Sequence, residues 1–402
     1  MLVVKKFGGT SVANKERIFN VAKRCIEDYK KGNQVVVVLS AMGKQTDVLL
    51  DMAKDINPKA SRRELDMLLT TGEQTSVALM AMAMDSLGVP AVSLNAFQVA
   101  MHTTADYGNA RLKKIDTERI KFELDNRRIV VITGFQGISK YDDLTTLGRG
   151  GSDTTAVALA AALHADACEI YTDVDGVYTA DPRHVKGARK LDEVTYNEML
   201  ELATLGAQVL HNRSVELAKK YNVKLEVLSS FTGHPGTKVK GVAKRMEKTA
   251  VSSVAKDKDI ARIALVGVPN EVGTSFKVFS LLAQNHINVD IILQGIGHEE
   301  GKDICFTVAE GDLKKAAELL ESHKAELRFA RLETNADIAK VSVVGSGMIN
   351  NPGVAAKLFE ALYDAHININ MISTSEIKIS VLVDKKDADR AVQAVHDKFF
   401  AF

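Results

Sequence analysis

Cysteine is scarce in this chain, and long apolar runs are missing. The three cysteines, Cys25, Cys168 and Cys305, are odd in number and far apart, so they offer neither a disulfide framework nor a metal-ligand spacing. The longest apolar runs, at 35–42 and 76–84, are well short of the roughly 20 residues that cross a bilayer. The strand-like LVVKKFGG near the start argues against a signal peptide. We therefore expect reduced thiols, a cytoplasmic location and no membrane partner.

An excess of charge of either sign is also missing. Lys and Arg number 52 and Asp and Glu number 51, which leaves a formal net charge of +1. A chain without a basic excess is not expected to bind nucleic acid. What is present is ordinary, because 46% hydrophobic and 26% charged residues over 402 positions are typical of a soluble protein with two or three domains.

The first 240 residues alternate short β-branched runs with longer helical patterns, which predicts an α/β fold with a mostly parallel sheet flanked by helices. The composition changes near Gly236, where Pro, Gly and a cluster of Lys and Arg predict a linker at 236–250. The predicted strands lie at 2–7, 34–40, 90–94, 128–135, 167–174 and 223–230, and the clearest helices at 14–32 and 63–88.

An internal repeat follows. Residues 268–295 match residues 348–375 at a constant offset, so that Gly273 aligns with Gly353. Each copy has the pattern strand, loop, helix, strand and continues into a further strand. We therefore expect two small ferredoxin-like α+β units in this half.

The stretch KFGGTS at 6–11 has the composition of a phosphate cradle. Gly8 and Gly9 remove side chains so that backbone N–H groups can approach an anion, and Lys6 adds a positive charge. The spacing matches neither the Walker A loop nor the dinucleotide fingerprint. Taken alone, the stretch is equally compatible with a plain structural turn.

The stretch LTTLGRGGSDTT at 144–155 supplies a second glycine-rich loop. Arg149 lies between glycines and offers a planar fork suited to a carboxylate or a phosphate. Ser152 and Asp153 stand where the next helix begins, and we expect one of them to be its N-cap. A turn alone does not require Arg149, so the loop is predicted to bind an anion.

Six motifs, in order along nearly the whole chain, resemble the aspartate kinase family of the amino acid kinase superfamily, and the repeat resembles its paired ACT domains. The resemblance implies a catalytic domain at 1–245, a first ACT regulatory domain at 246–335 and a second at 336–402. The motifs are KFGGTSV (6–12), SAMGKQTD (40–47), LLTTGEQ (68–74), TLGRGGSDTTA (146–156), YTDVDGVYTADPR (171–183) and PGTKV (235–239).

The resemblance also implies a reaction, in which ATP with Mg²⁺ phosphorylates the side-chain carboxylate of L-aspartate as a step of lysine, threonine and methionine biosynthesis. Catalysis is assigned to Lys6, which contacts the phosphates, and to Asp153, which orients that lysine. Arg149 is expected to take the α-carboxylate of aspartate, and Thr46 and Glu73 its ammonium group.

The remaining implied site residues are assigned by the motif in which they stand. Ser40, Gly150, Gly151 and Ser152 complete the substrate set. The nucleotide set is Lys6, Phe7, Gly8, Gly9, Thr10, Thr172, Asp173, Tyr178, Asp181, Arg183 and Lys238. A tight turn explains the Asp-Gly and Asp-Pro pairs of 171–183 equally well. No residue is assigned as a metal ligand.

For the ACT pair, the resemblance implies an end-product effector, lysine or threonine or both, and a homodimer formed through these domains. The effector pocket is assigned to Gln294, Asn368 and Ile369. The second copy keeps the family's Pro-Gly turn, but the first reads NEVG at 270–273, which leaves the identity of the effector open. Some relatives make a separate regulatory subunit from an internal start, and whether Met246 is such a start is also open.

Two other functions compete with this interpretation. A kinase acting on acetylglutamate would share the glycine loops, but it has no need of Glu73, because an acylated amine carries no charge. An amino-acid sensor with an inactive kinase half would have lost Lys6, Arg149 or Asp153, and all three are present.

Overall fold

The computed structural model describes residues 1–205, 209–243, 250–295 and 301–401. Contacts divide the chain into two compact units, the first formed by 1–178 with 190–246 and the second by 179–189 with 247–402. Met246, for which the sequence left an internal start open, lies outside the described residues. No helix in the described part of the chain is long and apolar enough to cross a membrane.

The first unit is built on an eight-stranded sheet in the order β10-β12-β11-β9-β1-β2-β6-β3. All neighbouring strands are parallel except β11 and β12, so the predicted fold class is confirmed. The strands are β1 (Leu2–Phe7), β2 (Gln34–Leu39), β3 (Ala91–Leu94), β6 (Ile129–Thr133), β9 (Ala167–Thr172), β10 (Glu193–Thr195), β11 (Leu225–Ser229) and β12 (Thr237–Lys240).

Helices cover this sheet. In α1, the side chain of Asn14 caps the helix by accepting a hydrogen bond from the backbone N–H of Arg17 at 3.0 Å. In α3, Ser61 does the same for Glu64 at 3.3 Å. The helices are α1 (Lys15–Lys30), α2 (Gln45–Ile56), α3 (Arg62–Ser86), α4 (Glu118–Asp125), α5 (Gly151–Leu163), α6 (Tyr196–Thr204) and α7 (Asn212–Tyr221).

A second, four-stranded sheet in the first unit was not predicted. Its order is β5-β4-β7-β8. The strands have two or three residues each, which is too short for an alternating pattern to be visible in the sequence. They are β4 (His102–Thr103), β5 (Leu112–Lys114), β7 (Gln136–Ile138) and β8 (Leu144–Thr146).

The linker predicted at 236–250 is wrong over its first part. Residues 237–240 form β12, which pairs with β10 and β11 inside the large sheet. Thr237 and Val239 are buried, whereas Lys238 points to solvent. A strand of four residues with only two buried side chains is too short for its alternating pattern to be recognised in the sequence. Residues 244–249 of the predicted linker are outside the described part.

The second unit contains two four-stranded sheets, in the orders β15-β16-β14-β17 and β13-β18-β20-β19. The two predicted α+β units are present, but the first repeat contains three helices and the second two, where the sequence pattern predicted one in each copy. The strands are β13 (Ser253–Asp257), β14 (Ile260–Val268), β15 (Ile292–Gln294), β16 (Lys302–Ala309), β17 (Arg331–Asn335), β18 (Ile338–Val344), β19 (Met371–Thr374) and β20 (Lys378–Asp384). The helices are α8 (Thr274–Gln284), α9 (Leu313–Ser322), α10 (Lys324–Leu327), α11 (Val354–Asp364) and α12 (Ala388–Phe400).

Two segments pack with the second repeat although their positions in the sequence suggested otherwise. Strand β13 precedes the first repeat but pairs with β18 of the second. Residues 179–189 precede the end of the kinase sequence, yet Ala180 and Val185 belong to the apolar core of the second repeat. The hydroxyl of Thr179 forms a hydrogen bond of 2.9 Å with the Nε2 atom of His396, in either direction according to the histidine tautomer. The bounds of the three predicted domains stay a prediction.

Strand β1 places two successive lysines on opposite faces of the sheet. Lys5 is only 1% exposed, and its ammonium group pairs with Asp28 at 2.7 Å and with Glu169. Burial disfavours the ammonium ion, but the groups around it, Glu169 first and Asp28 among them, together outweigh burial and raise the pKa of Lys5 above its usual range. The strand is thereby tied to α1 and β9 on the face opposite Lys6.

We expect Lys5→Met to lower the free energy of unfolding of the first unit by about 3 kcal/mol, because two carboxylates would lose a buried cation. Denaturant titration at neutral pH measures this. The matched control is Lys31→Met, because Lys31 also pairs with Asp28 but is 68% exposed, and its loss should cost less than about 0.5 kcal/mol. Equal effects of the two substitutions would contradict the prediction.

Candidate functional site

A cavity of about 820 Å³ opens in the first unit beside the carboxyl ends of β1 and β2. In open α/β sheets ligands bind at this edge. The structure therefore brings together both glycine-rich loops and the predicted substrate residues. Of the predicted residues, Lys6, Gly8, Gly9, Ser40, Thr46, Glu73, Arg149, Gly150, Gly151, Ser152 and Asp153 line it.

The loops that follow β1 and β2 touch at Gly9. A Cβ atom on Gly9 would lie 2.5 Å from the carbonyl oxygen of Ala41, which no side chain permits. The N–H group of Gly43 donates to the carbonyl of Gly9 at 2.9 Å. The second glycine of KFGGTS is thus required for packing, whatever it binds.

Lys6 and Asp153 form the central ion pair of the cavity. The Nζ atom of Lys6 lies 2.6 Å from Oδ1 of Asp153, and the two side chains are 12% and 11% exposed. Lys6 is the penultimate residue of β1, and Asp153 stands in the first turn of α5, so the pair links sheet and helix. A cation held in place at low exposure interacts more strongly with an incoming anion than one in water.

Neither Ser152 nor Asp153 caps α5, contrary to the expectation. The N-cap is Gly150, whose φ of +66° lies in the left-handed region, and no side chain bonds the cap. A left-handed residue at this point is less strained as glycine than as any other type. Ser152 and Asp153 are consequently free to face the cavity, where Oγ of Ser152 lies 2.9 Å from Oγ of Ser40.

Glu73 is a buried carboxylate with one satisfied oxygen. Its Oε1 accepts a hydrogen bond from the N–H group of Ala41 at 3.1 Å, and nothing within the described residues bonds Oε2. Burial raises the pKa of Glu73 to about 7, although its backbone hydrogen bonds oppose the change. A cationic ligand at Oε2 would satisfy the oxygen and favour the ionised form.

The nucleotide set is less tightly grouped. Phe7 is buried and stacks on Tyr171, with ring centroids 4.4 Å apart. Thr172 and Asp173 follow β9, the neighbour of β1, and Thr172 donates to Asp173 at 3.0 Å. The carbonyl of Thr10 accepts a hydrogen bond from Arg17. The four nucleotide-set residues of this group do not line the cavity described above: Phe7, Thr10, Thr172 and Asp173.

The last four nucleotide residues lie further along the chain. Tyr178 donates to Asp175 at 2.6 Å within the first unit, and this bond raises the pKa of Tyr178 to about 12. Asp181 and Arg183 belong to the second unit, where they form an ion pair of 2.8 Å. Lys238 lies on β12 opposite Glu226 of β11. The motif 171–183 is therefore divided between two units.

Sequence reasoning missed several residues of the cavity. Asp66 is the most informative of them, because it is a carboxylate only 1% exposed and lies on the buried face of α3, two turns before Glu73. A carboxylate at helical spacing from the predicted site residue Glu73 is a signal that could have identified it. The others are Asp47, Leu50, Arg62, Leu65, Leu69, Gly108, Phe135, Thr146 and Gly148.

The second repeat has a cavity of its own, of about 360 Å³, between the turn at Gly353 and the end of β19. Thr374, which answers Gln294 at the repeat offset, lines it, whereas Asn368 and Ile369 do not. Gln294 accepts a hydrogen bond from the hydroxyl of Ser275 at 2.8 Å in the first repeat. Neither of the two cavities described above is lined by Gln294, Asn368 or Ile369.

Family comparison agrees with this architecture. The amino acid kinase family matches residues 1–229. The ACT domain matches twice, at residues 262–328 and 341–399.

Individual relatives match over almost the full length. The aspartokinase of Bacillus sp. MGA3 is 51% identical over 99% of this chain and 97% of its own length, and aspartokinase 2 of Bacillus subtilis is 49% identical over the same shares. The E. coli aspartokinase III structure with aspartate and ADP matches with a TM-score of 0.84 at 28% identity over the whole of both chains. The lysine and aspartate complex of the same enzyme matches at 0.78 and 28%, over 99% of each chain.

The buried position of Glu73 has a measurable consequence for stability. Its pKa is raised from 4.5 to about 7 on folding, so its protonation stabilises the fold fully below pH 4.5, and this contribution is lost as the pH rises to 7. Glutamine does not titrate, so Glu73→Gln avoids this loss. Between pH 4.5 and 7, we expect its unfolding free energy to rise relative to that of the wild type by on the order of 3 kcal/mol.

Urea titrations at several pH values measure that difference. The matched control is Glu64→Gln on the same helix, where the side chain is 61% exposed. Because this side chain is largely solvated, its replacement should change the unfolding free energy by no more than about 0.5 kcal/mol. A Glu73→Gln curve that runs parallel to the wild type at every pH would contradict the prediction.

Proposed function

The chain belongs to the aspartokinase family of amino acid kinases, and on that basis we propose that it transfers the γ-phosphoryl group of ATP to the side-chain carboxylate of L-aspartate, giving 4-phospho-L-aspartate and ADP. The observation that carries the proposal is the cavity in which Lys6, Arg149 and Glu73 lie together. The E. coli relative was solved with aspartate and ADP, which supports both ligands.

The chemistry demands positioning and positive charge rather than a base. The attacking carboxylate is already ionised at neutral pH, because the pKa of an aspartate side chain is about 3.9. Two anions must therefore be held together against their repulsion. Lys6, oriented by Asp153, supplies positive charge where the transferring phosphoryl group becomes more negative.

The substrate residues each match one group of aspartate. Arg149 offers a bidentate fork to the α-carboxylate. Glu73, with Thr46 beside it in the cavity, faces the ammonium group, and the unbonded Oε2 of Glu73 supports this assignment. Ser40, Ser152, Gly150 and Gly151 complete the wall. An acylated amine would leave Glu73 without a partner, which favours aspartate over acetylglutamate.

For the nucleotide, we assign the loop at 6–10 to the phosphates. Mg²⁺ enters with ATP as part of the substrate and neutralises phosphate charge, since such sites hold it mainly through phosphate oxygens and water. Thr172, Asp173, Tyr178, Asp181, Arg183 and Lys238 stay proposed nucleotide contacts.

The ACT pair is assigned to feedback by an end product of the same cytoplasmic pathway, lysine or threonine. The E. coli relative was also solved with lysine, which supports the first of these. We place the effector at Gln294, Asn368 and Ile369 where two copies of the chain meet in a homodimer. The division of these residues between the two repeats of one chain is compatible with a pocket completed by a second copy.

The test of the reaction is the capture of the acyl phosphate by hydroxylamine. We expect aspartate to give a hydroxamate, and glutamate and acetylglutamate to give none. Lys6→Met should abolish the product while the protein stays folded, because Lys6 acts on charge rather than packing. Lys23→Met, an exposed lysine of α1, should keep wild-type turnover. Near-normal turnover by Lys6→Met would overturn the assignment.

The test of regulation separates inhibition from turnover. A ligand alters activity only through its differential affinity for two conformations, and such couplings are typically about 1–3 kcal/mol, or roughly 5- to 150-fold. Gln294→Ala should weaken inhibition by lysine or threonine and leave the uninhibited kcat unchanged. Lys314→Ala, an 89% exposed control in the same repeat, should keep both. If neither amino acid inhibits the wild type, the proposal fails.

A further inference from the structure

The loop that carries Arg149 is packed against a second backbone segment, residues 108–110. The N–H group of Ala110 donates to the carbonyl of Thr146 at 2.9 Å. At Gly148, whose φ is +77°, a Cβ atom would lie 3.1 Å from the carbonyl oxygen of Gly108. The two segments are therefore in direct contact immediately before Arg149.

Asp66 of α3 bridges these segments from one side. Its Oδ2 accepts hydrogen bonds from the N–H groups of Gly108 at 2.9 Å and of Thr146 at 2.8 Å. Its Oδ1 accepts from the hydroxyl of Thr146 at 2.8 Å. Both oxygens of a fully buried carboxylate are thus used to hold backbone and side chain at the start of the loop.

Arg213 of α7 bridges the same two segments with the opposite charge. Its guanidinium group donates to the carbonyl of Leu147, to Oδ1 of Asn109 at 3.1 Å and to the carbonyl of Ala110 at 2.9 Å. One planar group therefore spans three acceptors, which an ammonium group could not match in geometry. Hydrogen bonds from a charged donor are also stronger than neutral ones.

The loop is also fixed on the far side of Arg149. His211, the N-cap of α7, packs against Gly150 so closely that a Cβ atom there would come within 2.2 Å of its Cβ. Thr146, Leu147 and Gly150 are thus each held by a residue of α3 or α7. Arg149 lies between the held residues Leu147 and Gly150, and its side chain lines the cavity.

We propose that Arg213, with Asp66, is a positioning residue that fixes the backbone of the Arg149 loop before aspartate arrives. The proposal rests on the proposed function, in which Arg149 takes the α-carboxylate. Glycine-rich segments lose the most conformational entropy when they become ordered. Two charged bridges that order the loop in the free enzyme remove that cost from binding.

A double-mutant cycle tests the proposal, because Arg213 is expected to act only through Arg149. Arg149→Ala should raise the KM for aspartate by roughly 10- to 150-fold, the loss of a charge-assisted bidentate contact. Arg213→Ala should raise the same KM on the order of 10-fold and leave the KM for ATP unchanged. The double variant should have the KM of Arg149→Ala alone.

Rescue and a matched control distinguish positioning from general stability. Low concentrations of free guanidinium should restore aspartate binding to Arg213→Ala, and should not do so for the double variant. Glu123→Gln is the control, since Glu123 is 1% exposed, pairs with Arg119 and Arg128, and lies on α4 before the amino end of β6. It should lower stability without changing either KM.

Three results would overturn the positioning role: additive effects in the double variant, a parallel rise of the KM for ATP, or an aspartate KM in Arg213→Ala equal to the wild type. If Arg213→Ala does not fold, Asp66→Asn replaces it in the double-mutant cycle with Arg149→Ala, and the same changes in the KM values are expected. A wild-type enzyme that yields no aspartyl hydroxamate would instead overturn the proposed function itself.

Discussion

Strand β1 is held from both faces by carboxylates, and the geometry of the cavity depends on that arrangement. Lys5 is neutralised under α1 by Asp28 and Glu169, and Lys6 on the other face pairs with Asp153. Alternation along the strand makes the two roles inseparable, since a shift of one residue would exchange the faces of both lysines. The buried pairs therefore fix the register that presents Lys6 to the cavity.

The cavity combines fixed charges of both signs, which suits a reaction between two anions. Positive charge comes from Lys6 and Arg149, and Glu73 is the carboxyl group that we propose meets an ammonium ion. Lys6 is held by Asp153 and Glu73 by the N–H group of Ala41, whereas Arg149 is exposed and is ordered through the backbone on either side of it. Charges that are oriented in advance need no reorganisation during the reaction, which is the main source of electrostatic catalysis.

The polar bridges around the Arg149 loop show how the fold orders a segment that glycine makes flexible. Asp66 and Arg213 come from two helices far apart in sequence, and both end on the segments 108–110 and 146–147. Apolar packing could not replace them easily, since the groups they satisfy are backbone N–H and C=O groups that must be bonded when buried.

The sequence by itself determined features with a strong local pattern: the strand that ends in KFGG, the helix that begins in GRGGSD, the repeat at a constant offset, and the identity of the loops that line the cavity. The tertiary structure alone decided that Asp66 and Arg213 meet the Arg149 loop, that residues 179–189 and β13 lie with the second repeat, and that 237–240 is a strand. Periodicity and motifs report contacts within a few residues along the chain. Contacts such as Arg213 with Leu147 join positions 66 residues apart, and they form only when the helices and sheet have packed together.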